Sequence, residues 1–160
     1  MLIIFGTAFD QSFFPVPQHT EAQTLYLGPL GLMNTLENHL GFSGHRNDIE
    51  FLRIEQYRQL ILLHLQDHPT TFYLKAFQAD QFATAADLLN RRDELLAAGY
   101  NFSEQHQIPD RLQVLVEIEN LRSTNTSIQL TPGLTDRLEA IIEAIPFTQL
   151  PFKELRHVEP

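Results

Sequence analysis

The run Thr24-Leu25-Tyr26-Leu27 is β-prone, and it stops at Gly28-Pro29. Apolar residues then recur at Leu32, Met33, Leu36 and Leu40, which is helical spacing, and Gly41 offers a C-terminal stop. A strand that turns directly into a helix is the building unit of α/β layers, so this stretch constrains the fold more than any other. The rest of the chain repeats the alternation. Leu2 to Phe5 reads as a first strand ended by Gly6, and residues 13–23, with Pro15 and Pro17, read as a connecting loop. Asn47 followed by Glu50 resembles a capping box for a long helix that uses Ile49, Leu52, Leu60, Ile61 and Leu65 and ends at Pro69.

Thr71 to Phe77 is β-prone, after which Asp80 caps a helix that runs to Ala98 and stops at Gly99. Residues 112–118 are ambiguous on pattern. Leu112, Val114, Val116 and Ile118 alternate as in a strand, but Leu115 breaks the polar face and Pro109-Asp110 suits a helix start. Residues 123–130 form a polar loop. Thr131 and Pro132 then open a helix with Leu134, Leu138, Ile141, Ile142 and Ile145 on one face, ended by Pro146, and Phe152 to Val158 reads as a last strand. The expectation is an α/β fold, a small and mostly parallel sheet flanked by helices, in a single domain over residues 1–160. A strand at the very C-terminus fits a piece of a longer chain.

Charge narrows the function. The 160 residues carry eleven basic and twenty acidic side chains, a net charge of −9, and only Lys75 and Lys153 are lysines. Nucleic-acid binding draws most of its affinity from Lys and Arg on phosphates, so this balance disfavours an independent DNA binder, although nine arginines can still cluster locally. No apolar run approaches ~18 residues, so no membrane span is expected. The start, Met-Leu-Ile-Ile-Phe-Gly, lacks a basic leader, and the expected setting is cytoplasmic. With no cysteine, thiol nucleophiles and cysteine-based metal sites are excluded.

The turn Gly28-Pro29-Leu30-Gly31 stands where α/β proteins hold phosphates on a helix N-terminus. A working P-loop needs Lys and then Ser or Thr after its last glycine, but Leu32 and Met33 follow here, and Pro29 removes one N–H donor. His64 and His68 are four apart on one helix, a spacing that can hold a metal. They lack the intervening Glu of HExxH and any third ligand that spacing nominates, so surface or capping histidines near Pro69 are expected, with no metal and no cofactor. His106, after Glu104, has less support still. The pairs Asp48/Glu50 and Glu117/Glu119 read as solvated faces. Arg91-Arg92-Asp93-Glu94 is different. The stripe of Phe82, Ala85, Ala86, Leu89 and Leu96 passes through Arg92 and Asp93, which implies a buried, hydrogen-bonded clasp. The alternative for Arg91, Arg92 and Asp93 is contact with a neighbouring domain or a DNA backbone.

Two longer stretches carry a resemblance. Leu27-Gly28-Pro29-Leu30-Gly31-Leu32-Met33-Asn34-Thr35-Leu36-Glu37 leads into His39-Leu40-Gly41. Later, Phe72-Tyr73 precedes Ala76-Phe77-Gln78-Ala79-Asp80, Ala83-Thr84-Ala85, Leu88-Leu89, Arg92-Asp93-Glu94-Leu95 and Ala98-Gly99-Tyr100. Together with the ending from Phe152 to Pro160, they resemble the N-terminal region of AddB-like proteins, inactivated superfamily I helicases with a C-terminal PD-(D/E)XK nuclease domain. The resemblance implies a helicase-like lobe with a degenerate P-loop at Gly28 to Gly31, in a protein that processes double-strand DNA ends for recombinational repair. It implies partners reached through the full protein: the remainder of its own longer chain, a helicase or nuclease subunit, and DNA. It also favours helix for residues 112–118. The family's nuclease residues match nothing here, so no catalytic residue is carried over. Two other readings stay open: a nucleotide-binding protein with a divergent site around Gly28 to Asn34, and an acidic interaction adaptor with an apolar patch at Phe13, Phe14, Phe42 or Phe102.

Overall fold

Strand β1 (Leu2–Phe5) lies at the centre of a three-stranded sheet, between β2 (Thr24–Leu27) and β3 (Glu154–His157) and parallel to both. Leu2 pairs with Thr24 on one side and Glu154 on the other, so the pairing expected from the strand–helix alternation is present. Only the central strand contributes a fully buried residue, Ile3. The last strand is shorter than residues 152–158 and lies at an edge with all four residues exposed, not buried between neighbours. The computed structural model describes residues 1–11, 23–42, 50–103 and 107–158. The loop with Pro15 and Pro17, the Asn47 end of the capping box, and Phe13, Phe14 and His106 lie outside them.

Helix α1 (Pro29–Leu40) follows β2 with Gly28 as its N-cap. Pro29 opens it, where the absent N–H would have no intrahelical acceptor. Gly41 takes a left-handed φ of 75°, and the Phe42 N–H bonds the Glu37 carbonyl at 2.9 Å, which closes the helix as its glycine suggested. Four helices come next: α2 (Glu50–Asp67), α3 (Leu74–Ala79), α4 (Gln81–Ala97) and α5 (Asp110–Thr124). Asp80 caps α4 by accepting from the Ala83 N–H at 2.9 Å, and Gly99 follows with φ 83°. The ambiguous stretch 112–118 lies inside α5.

The β-prone stretch 71–77 is a correction. It holds α3, because Tyr73 and Phe77, four apart, both enter the core, and that gain outweighs the strand propensity of Phe72 and Tyr73. Helix α6 (Leu134–Ala144) starts later than Thr131-Pro132 suggested. The Thr131 N–H is held by Gln56 Oε1 at 2.8 Å and its carbonyl by Arg53 Nε at 3.0 Å, so Thr131 is fixed to α2 rather than acting as a cap. The face of α6 also differs. Ile141 is buried, whereas Leu134, Leu138 and Ile142 are exposed.

Packing divides the chain into two units, where the length suggested one core. One unit is Met1–Gly44 with Arg137–Pro160, and the other is His45–Asp136. In the first, Met33 and Leu36 of α1 pack with Ile141 of α6. In the second, Tyr57, Leu60 and Ile61 of α2 pack with Leu88 and Leu89 of α4 and with Val116 and Ile118 of α5. Leu52, expected in that core, is exposed, and the buried side of α2 is Arg53, Tyr57, Leu60, Ile61 and His64. Two polar side chains therefore end an apolar stripe. They define the features that follow.

Candidate functional site

The turn from Gly28 to Gly31 joins β2 to α1, and two of its amides are taken. Asp10, on the one-turn 3-10 helix Thr7–Asp10, accepts from the Leu30 N–H at 2.6 Å and the Gly31 N–H at 3.1 Å. A carboxylate here satisfies free amides and complements the positive helix end. Gly28 has no side chain for a reason: a Cβ would run into the Asp10 carboxyl and lie 2.5 Å from the Asp10 backbone nitrogen. Sequence reading missed Asp10, since no local pattern links it to a helix twenty residues later. Asp10→Ala should lower the unfolding free energy by about 0.5–2 kcal/mol, as for other lost caps. Urea denaturation of the two proteins checks it, and an unchanged midpoint would deny the cap its role.

Arg92 and Asp93 form the clasp that the stripe implied. Arg92 is only 1% exposed. Its guanidinium donates to Asp93 at 2.8 Å and to Asp136 at 2.5 Å, and Nε lies 3.4 Å from Glu119. Arg53 grips Asp93 through two contacts, at 2.9 and 3.1 Å, and Arg122 donates to Glu119 at 2.7 Å. Three arginines from α2, α4 and α5 thus face three carboxylates, and the buried charge balances. Burial alone would push the Asp136 carboxyl up. The hydrogen bond and charge of Arg92, the Gly133 N–H and the charge of Arg53 outweigh it and hold the carboxyl below the usual range. Glu119, read from sequence as part of a solvated face, is buried here.

Arg91 behaves differently. It is exposed, pairs with Glu94 at 2.8 Å, and borders a groove of about 590 Å³ with Phe72, Leu88, Leu95 and Arg111. Each remaining arginine among the described residues is also engaged. Arg58 meets Glu55, Arg137 meets Glu37, Arg156 meets Glu154, and Arg111 lies over the Phe72 ring. The exposed pairs hold weakly, but the buried ones do not exchange for an outside anion without a large cost.

His64 departs most from its sequence reading. It is fully buried rather than at the surface, with Nδ1 2.7 Å from the Tyr73 hydroxyl and Nε2 2.9 Å from Glu117 Oε2. His68, one turn on, is exposed and stacks on His64 with ring centroids 4.5 Å apart. Burial pushes the Tyr73 phenol up to about 12 against the opposing effect of the Thr71 hydroxyl, so it stays protonated at neutral pH. Helix α5 thereby supplies Glu117, the third group that spacing along α2 left unnamed, and the expected solvated pair is divided between two clusters, with Glu119 buried and Glu117 partly exposed.

Comparison of the chain with protein-family models, curated proteins and solved structures finds no match. Among the described residues no helix is long and apolar enough to cross a membrane.

Proposed function

We propose that the chain is a non-catalytic, helicase-lobe-like module of a cytoplasmic protein that processes double-strand DNA ends for recombinational repair. The reading comes from the resemblance of residues 27–41 and 72–100 to AddB-like proteins. One observation carries it further. The Asp10 carboxylate stands on the Leu30 and Gly31 amides, in the turn where an active lobe would hold a nucleotide's phosphates. An anion already in place repels another, and Leu32 and Met33 follow where Lys and a hydroxyl would be needed. The same arrangement weighs against the divergent nucleotide-binding site.

In this reading DNA is reached through the remainder of a longer chain and a helicase or nuclease subunit. Leu138 and Ile142, exposed one turn apart on α6, offer an apolar strip for that remainder. The strip also favours the second reading, an adaptor for a separate protein. The patch expected at Phe42 and Phe102 does not serve it, because Phe102 is buried and Phe42 packs beside Met33 and Ile141.

A fluorescent ATP analogue titrated into the protein should give no saturable signal. Saturable binding displaced by ATP would overturn the degenerate-loop reading. In the source organism, deleting the segment that encodes residues 1–160 should sensitise cells to double-strand breaks. Survival equal to that of the parent would reject the repair assignment and leave the adaptor.

A further inference from the structure

We propose that His64, His68 and Glu117 bind one zinc-like divalent ion. The proposal does not rest on the repair assignment. One ligand atom from each residue lies within 4.8 Å of the other two. Two imidazoles and a carboxylate suit zinc, which takes such donors at about 2.0–2.2 Å in a tetrahedron. Ligand atoms at those lengths stand about 3.3 Å apart. His64 Nε2 and Glu117 Oε2, now 2.9 Å apart, need only a small opening. The exposed His68 ring supplies the remaining movement from its stacked position.

The surrounding groups support this use of the cluster. Tyr73 sits on His64 Nδ1, and Gln113 Nε2 donates to the second Glu117 oxygen at 3.2 Å, so both inner ligands are oriented from outside. Without a metal, the Tyr73 O–H donates to Nδ1 and the Nε2–H donates to Glu117. With a metal on Nε2, the imidazole proton moves to Nδ1 and donates to the Tyr73 oxygen. The phenol then turns its own proton away. Thr71 Oγ1 lies beside that phenol and can receive it. The tautomer change therefore leaves each of these protons with an acceptor.

The opening is also suited to an ion. A pocket of about 230 Å³ exposes the cluster, and Asp67, Asn120 and Thr124 line it with the three ligands. Three protein ligands leave one position for water or for Asp67. Sequence reading set the histidines aside because the third ligand lies 53 residues away on another helix.

The test uses the full chain after chelator treatment. Zn²⁺ is titrated by calorimetry, and Co²⁺ by its visible spectrum, into the wild type, His68→Ala, Tyr73→Phe and His157→Ala. The wild type should bind one ion and give the intense absorption of tetrahedral Co²⁺. His68→Ala should weaken binding at least about tenfold, and Tyr73→Phe by about 10–100-fold, as for other outer-sphere partners. His157→Ala should bind as the wild type does. His68 is exposed, so its variant should fold, and circular dichroism checks this directly. No stoichiometric binding by the wild type, or equal binding by a folded His68→Ala, would overturn the site.

Discussion

Arg92→Met lowers the unfolding free energy of the helical unit by roughly 3–5 kcal/mol, the usual consequence of removing one partner from a buried ion pair. The methylenes of Met refill much of the volume, so the loss is electrostatic. Asp136 loses its 2.5 Å partner and keeps only the Gly133 N–H and an Arg53 contact at 3.5 Å. Two arginines then face three carboxylates. The pH dependence gives a second readout. The Asp136 carboxyl is held down in the folded protein, so its contribution is full above the unfolded Asp range near 3.9 and fades as pH falls toward the lower folded value. The variant lacks that contribution. Urea midpoints for the two proteins should therefore converge on acidification from neutral pH to below about 4. A constant gap across that range would assign the loss to packing.

Arg137→Met acts in the other unit, with a loss of similar size, roughly 3–5 kcal/mol. Arg137 meets Glu37 through two parallel bonds of 2.7 and 2.6 Å and reaches Asn34 Oδ1 at 2.9 Å. Both charged residues are buried, so the variant strips the paired Arg137 bonds from an enclosed carboxylate. Arg137→Lys should recover little, because an ammonium cannot reproduce the paired bonds. Hydrogen exchange locates each effect. Arg137→Met should loosen amides of α1 and α6, and Arg92→Met those of α4 and α5. Equal loosening everywhere in both variants would mean that the two units unfold as one.

The sequence exposed the fold more fully than the site. Where local chemistry decides the conformation, as at Gly28-Pro29, Gly41, Asp80 and Gly99, boundaries could be read directly. Thr71 to Phe77 failed because burial of Tyr73 and Phe77 is a tertiary gain that propensity does not include. Arg92 and Asp93 were legible as a clasp because they interrupt an apolar stripe. Their partners Arg53, Glu119 and Asp136 were not, since each comes from a different helix and carries no local mark. Glu117 and Asp10 were hidden for the same reason. An acidic residue looks alike in sequence whether it faces water, a histidine or the end of a distant helix.

One consequence concerns the order in which the chain is made. The unit that contains the sheet is assembled from Met1–Gly44 and Arg137–Pro160, and Leu2 is paired with Glu154. The intervening helices, made of nearer neighbours, leave the ribosome before Arg137–Pro160 and have the lower contact order, so they are the faster part to form. Until Glu154–His157 follows, β1 carries an unpaired edge, the kind of surface on which nascent strands join the wrong chain. Translation that stalls between α6 and β3 should therefore yield a species with a folded middle and an aggregation-prone beginning.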